Sequence, residues 1–172
     1  NGDAVTKPAF FEDKETELYC MPQCYTIDSL KHGDFLNCLA SDYHALIIAN
    51  GEFGGRYNTL DSAVQRGRQL KHQLTDNYQF PEDQVRLLEN ASKQEFEALI
   101  DKWYPDHLTG KDRLLIYIIS HGTTDKHIAF KESELSSSYL WTVLQDKKSD
   151  GTDKYKCKQV LVVIDACYSG DM

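Results

Sequence analysis

Three uninterrupted apolar runs constrain this chain more than any other feature: Ala45-Leu46-Ile47-Ile48-Ala49, Leu114-Leu115-Ile116-Tyr117-Ile118-Ile119 and Val160-Leu161-Val162-Val163-Ile164. A strand with one face in water alternates apolar and polar side chains, because successive residues point to opposite faces. A run that is apolar at every position has no solvent face. It belongs inside a parallel sheet covered on both sides by helices. Segments of helical period lie between the runs. Leu60, Ala63, Val64, Gly67, Leu70 and Leu74 recur at helical spacing, with Asn58 or Thr59 predicted as the cap. Val85 to Leu88 reads as a further short strand. Ser92-Lys93-Gln94-Glu95 is a capping box, followed by the apolar face Phe96, Leu99, Ile100 and Trp103. Leu135, Tyr139, Leu140, Val143 and Leu144 form a third helical stripe, and Asp146 to Lys158 reads as a charged loop. Strands alternating with amphipathic helices predict an α/β fold with a mostly parallel sheet flanked by helices.

The 172 residues suit one domain. Residues 1–42 lack periodicity and read as an N-terminal extension on a domain spanning 43–172. With 27 acidic against 19 basic residues the formal charge is −8, which argues against a nucleic-acid partner. No apolar run approaches the ~18 residues of a membrane span and no secretory leader opens the sequence, so a soluble, cytoplasmic protein without membrane contact is expected. Asn1 rather than Met at the start suggests removal of an upstream piece.

The five cysteines are Cys20, Cys24, Cys38, Cys157 and Cys167, an odd and irregular set that suits free thiols in a reducing compartment. Cys20 and Cys24 with Cys38 or His32 form an incomplete zinc pattern, lacking a second tight ligand pair. Asp146, Asp150 and Asp153 share one loop without the spacing of a calcium site. No metal or cofactor is therefore expected, calcium activation being weighed only on those three acids. The same loop carries Lys147, Lys148, Lys154 and Lys156, an exposed candidate for a processing cut.

In open parallel sheets, ligands bind beyond the carboxyl ends of the strands. The first run leaves into Asn50-Gly51-Glu52, the second into Ser120-His121-Gly122 and the third into Asp165-Ala166-Cys167. If the second and third runs are neighbours joined by a right-handed crossover helix, their ends lie about 5 Å apart. His121 and Cys167 then emerge side by side. An imidazole next to a thiol is the minimum for nucleophilic catalysis, since the imidazole generates the attacking thiolate. Gly122 and the residue after it are predicted to leave backbone N–H groups free for an oxyanion. Alone, either residue is an ordinary loop histidine or small buried cysteine; the joint placement is what points to chemistry.

Ser120-His121-Gly122 after one apolar strand, with Asp165-Ala166-Cys167-Tyr168-Ser169-Gly170 after the next, resembles the caspase-like cysteine peptidases, and within them the metacaspases and bacterial caspase homologues. The histidine-to-cysteine separation is 46 residues, against about 50 in caspases. The resemblance spans about residues 43–170. It implies a three-layer caspase-like sandwich and a Cys–His dyad, with Cys167 as nucleophile and His121 as general acid/base. It further implies an oxyanion held by the Gly122 and Cys167 backbone N–H groups, and Asp165 lining the S1 pocket to select Arg or Lys. Metacaspases carry an Asn-Asp pair in the helix after the first strand, where this chain has Gln65 and Arg66. Arg66, and Arg56 in the loop before it, are candidate substrate-binding residues that would instead favour an acidic P1 side chain.

The sequence ends five residues past Cys167. The third run would leave a bare apolar edge, a hazard native proteins avoid. The expectation is a large-subunit portion of a zymogen-derived peptidase, completed by a second polypeptide and acting on protein substrates. A catalytically silent scaffold of the same fold is the alternative. An α/β-hydrolase relative is disfavoured, since the G-x-C-x-G elbow it needs is missing.

Overall fold

The computed structural model describes residues 42–167. Residues 1–41 of the N-terminal extension, with the zinc candidates Cys20, Cys24, Cys38 and His32, and the stretch 168–172 lie outside them.

All three apolar runs form strands of one sheet. In chain order the elements are β1 (Tyr43–Ala49), α1 (Ala63–Asp76), β2 (Val85–Glu89), α2 (Lys93–Ala98), α3 (Tyr104–His107), β3 (Arg113–Ile119), β4 (His127–Ala129), β5 (Glu134–Ser136), α4 (Ser137–Gln145) and β6 (Gln159–Asp165). The four-stranded sheet has the order β2-β1-β3-β6, every pair parallel, and β4–β5 form a separate antiparallel hairpin. The result is an α/β sandwich with helices on both sheet faces. Leu46, Ile48, Leu114, Ile116 and Ile118 point to the side covered by α2, α3, α4 and the hairpin, where the larger core lies. Ala45, Ile47, Val85 and Leu87 point to the side where Leu74 of α1 packs.

Local chemistry explains most element boundaries. Ser92 accepts from the Glu95 N–H at 3.2 Å while the Glu95 carboxylate accepts from the Ser92 N–H at 2.8 Å, completing the expected capping box. Residues 99–103 between α2 and α3 widen into a π turn. Pro105 accounts for it, since a proline offers no N–H to the carbonyl four residues back and its ring crowds that carbonyl.

Three expectations need correction. The first helix begins at Ala63 with Ser62 at its cap position, without a side-chain capping bond, rather than at Asn58 or Thr59. Leu60 is held outside it, its N–H donating to Gly51 O at 2.9 Å, because the chain first wraps over the end of β1. Leu135 belongs to β5 and not to the following helix, its side chain buried by the hairpin. The third run, expected to be buried on both faces, is half-buried throughout. Val160, Val162 and Ile164 pack on the larger core, whereas Leu161 and Val163 join neither core cluster. Among the described residues no strand pairs with the outer edge of β6.

Candidate active site

The strand ends are tied together by asparagines. Asn50, fully buried just after β1, accepts from the Ala91 N–H at 2.9 Å through Oδ1 and donates to Ala129 O at 3.3 Å through Nδ2. Asn90, just after β2, accepts from the Gly51 and Glu52 N–H groups at 2.8 and 3.0 Å. An amide can donate and accept at once, so one buried side chain satisfies backbone groups of two other segments. The sequence offered Asn50 only as the first residue beyond β1; its position at the end of an apolar run was the available hint.

β3 and β6 run side by side with Ile119 opposite Asp165. His121 and Cys167 each lie two residues beyond that pair. Both line one cleft of about 340 Å³, together with Ser62 and Arg66 from the start of α1, Ser120, and Asp165. Cys167 is exposed, whereas Cys157, before β6, is half-buried and its thiol pKa is pushed up by burial.

The His121 ring is held from the loop after β1. Phe53 and Tyr57 present their rings at centroid distances of 4.9 and 5.7 Å, and Nε2 lies 2.8 Å from the Asn58 carbonyl oxygen. A carbonyl only accepts, so Nε2 carries the hydrogen and the neutral ring keeps its lone pair on Nδ1. The backbone on either side is pinned as well. Ser120 N–H donates to Asp165 O at 3.2 Å, and His121 O accepts from the Ala129 N–H at 2.9 Å. The Thr123 N–H, expected to be free for an oxyanion, donates to His127 O at 2.9 Å because the chain turns there into the β4 hairpin.

The charged candidates separate. Arg66 lines the cleft and its Nη2 forms an ion pair with Asp165 Oδ2. Tyr117 lies on the same sheet face; burial first, and the Asp165 charge second, raise its hydroxyl pKa above the ordinary phenol value. Arg56 instead turns to the hairpin, pairing with Glu134 at 2.9 Å, and is not part of the cleft wall. In the charged loop, Asp146 pairs with Lys154, Asp153 with Lys147, and Asp150 accepts from Thr152. Among the described residues no group of three or more acid, histidine or cysteine side chains is placed to hold a metal ion. No described helix is long and apolar enough to cross a membrane.

The described residues thus form a parallel sheet with helices on both faces, with His121 and Cys167 lining one cleft at its carboxyl edge. The caspase-domain family model matches residues 42–172, and the chain belongs to that family. The fold is similar to that of caspase-1 from Spodoptera frugiperda, with a TM-score of 0.59 and 18% identity over 74% of this chain and 49% of that one. It is likewise similar to pro-sf-caspase-1, with a TM-score of 0.58 and 17% identity over 76% of this chain and 52% of that one. The chain thus spans about half the length of these caspases. No curated protein sequence matches it. Family membership supports an enzymatic potential of the cysteine-peptidase kind.

Proposed function

We propose that this chain carries the catalytic dyad of a cysteine endopeptidase acting on protein substrates, with Cys167 as nucleophile and His121 as general acid/base. One observation carries the proposal: both side chains line a single cleft, each two residues beyond the paired ends of adjacent strands. In the reaction the Cys167 thiol passes its proton to His121 Nδ1 and the sulfur attacks the scissile carbonyl carbon. The resulting oxyanion is stabilised by the backbone N–H groups of Gly122 and Cys167. The imidazolium then gives its proton to the departing amine, leaving a thioester that water hydrolyses with His121 as base. The Asn58 carbonyl favours the tautomer this scheme needs.

The P1 side chain is proposed to be Arg or Lys, received by Asp165. The Arg66 ion pair supports a second reading, in which Arg66 receives an acidic P1 residue instead. The half-exposed apolar face and free outer edge of β6 among the described residues favour completion of the cleft by a second polypeptide, with proteolytic processing of a zymogen as its source. Residues 43–172 are proposed as the catalytic domain's larger part, residues 1–42 as an extension, and the cytoplasm as the location.

The test uses the chain reconstituted with its completing polypeptide and fluorogenic peptides ending in Arg, Lys, Asp or Met. Turnover after Arg or Lys that falls about 10⁴-fold or more in Cys167→Ala is expected. Turnover only after Asp would transfer P1 recognition to Arg66. Turnover that survives Cys167→Ala, or none with any peptide, would leave the silent-scaffold reading standing.

A further inference from the structure

The His121 ring touches one loop, and two side chains of that loop reach Glu134. Residues 50–62 have no regular secondary structure, and Gly54 and Gly55 take positive φ values of 57° and 81°, which only glycine adopts without strain. Local backbone bonds, Arg56 N–H to Phe53 O at 3.1 Å and Leu60 N–H to Gly51 O at 2.9 Å, close the loop on itself. They do not tie its tip to the rest of the fold. Two side chains at that tip do, and both end on one carboxylate: Arg56 Nη2 donates to Glu134 Oε1 at 2.9 Å, and Tyr57 Oη donates to the same oxygen at 2.5 Å.

Glu134 opens β5, β5 pairs with β4, and the Ala129 N–H of β4 donates to His121 O at 2.9 Å. The links therefore form a closed circuit. It runs from the His121 backbone through the hairpin to Glu134, across to Tyr57 and Asn58, and back to the imidazole through Nε2. We infer that Glu134 is a positioning residue for the proposed reaction, holding the His121 imidazole in one tautomer and orientation by clamping the loop that carries Tyr57 and Asn58. This role rests on His121 being the acid/base of the proposed peptidase. The Tyr57 hydroxyl pKa is raised above the ordinary phenol value, first by its bond to Glu134, as suits a phenol that donates to a carboxylate.

The test uses the ¹⁵N-labelled full chain with its completing polypeptide, as wild type, Glu134→Ala, Glu134→Gln and Tyr57→Phe. Imidazole ¹⁵N shifts report the His121 tautomer independently of turnover. The Nε2–H form is expected in the wild type and in Glu134→Gln, which keeps an acceptor for Tyr57, and a tautomer mixture in Glu134→Ala. The kcat of Glu134→Ala should fall by roughly 10- to 100-fold, the range for a slightly misplaced catalytic group, with KM changed less than about twofold. Tyr57→Phe keeps the ring against His121 and loses only the bond to Glu134, so it should reproduce both effects, and it decides the matter if Glu134→Ala does not fold. A folded Glu134→Ala or Tyr57→Phe with the wild-type tautomer and kcat overturns the clamp. Wild-type turnover that is absent, or that survives Cys167→Ala, overturns the peptidase reading, and the catalytic role of Glu134 with it.

Discussion

Gly67→Ala sets two effects of opposite sign against each other at one position. Gly67 lies inside α1 with its Cα facing the sheet, and it is buried. Replacing glycine by alanine within a helix ordinarily gains about 1 kcal/mol. Here a Cβ would meet Ala49 Cβ at 2.6 Å, Leu87 Cδ1 at 3.1 Å and Ile47 Cγ2 at 3.7 Å. The Leu87 methyl can swing aside, but Ala49 Cβ is bonded directly to the backbone of β1 and cannot. Restoring an ordinary contact of 3.4–4 Å requires α1 to retreat by about 1 Å, and a gap of that size forfeits a quarter to a half of the dispersion energy of neighbouring contacts. Overpacking of this kind costs about 1–3 kcal/mol, to which the loosened packing of Ala63 and Leu74 adds. The sum favours a net loss of about 1–2 kcal/mol, or a fall in Tm of about 3–8 °C for a domain of this size. Thermal unfolding followed by circular dichroism measures it, with Gln69→Ala, exposed on the same helix, as the control that reads propensity alone. A Gly67→Ala protein melting at or above the wild type would refute the close approach of α1 to β1.

Three further outcomes are expected. Asn50→Ala strips the buried Ala91 N–H of its acceptor and should cost about 2–3 kcal/mol in urea unfolding; a loss below about 0.5 kcal/mol would show that the staple is dispensable. Glu95 has its pKa lowered below the ordinary glutamate value, first by the Ser92 backbone N–H and then by the Ser92 hydroxyl. A carboxylate depressed in the folded state stabilises above its unfolded pKa of about 4.3, and the benefit is lost as pH falls through the folded value. Glu95→Gln should therefore be less stable than the wild type at pH 7, by a margin that shrinks as pH falls below about 4.3; a pH-independent difference would contradict the sign. Arg66→Ala frees Asp165 from an ion pair at a partly exposed site, where such pairs are worth about 0.2–1 kcal/mol. It should raise kcat/KM for peptides with Arg at P1 up to about fivefold, whereas a drop confined to acidic P1 peptides would make Arg66 the residue that binds P1.

The strands were legible because each is apolar at nearly every position, although only β1 and β3 lie inside the sheet and β6 is half-buried. β1, β3 and β6 extend the apolar runs by only one or two residues. The adjacency of β3 and β6 stood in the sequence only as a condition; the sheet supplies it, and it brings His121 and Cys167 to one cleft. What stayed hidden depends on contacts distant in sequence. Nothing near residue 66 announces that Arg66 meets a carboxylate on β6, or that Arg56 turns to the hairpin. Leu135 matches both a helical stripe and a strand, and only its pairing with Ile128 decides. The Asn58 carbonyl could not be found from residue type at all, since every residue has one. Asn50 carried a real signal, a polar amide ending an apolar run, but its partners Ala91 and Ala129 lie 41 and 79 residues away.

The sheet order β2-β1-β3-β6 also sets a timetable. A ribosome releases β1, β2, β3 and β6 in that order, and each new strand after the first finds its neighbour already made. A chain ending at residue 150 contains the His121 turn and the loop over it, yet lacks the thiol. β6 joins last at an open edge, bringing Cys167 directly behind it. The cleft thus cannot be assembled until β6 has been made, and a product stalled or cut before residue 159 carries the imidazole without the sulfur.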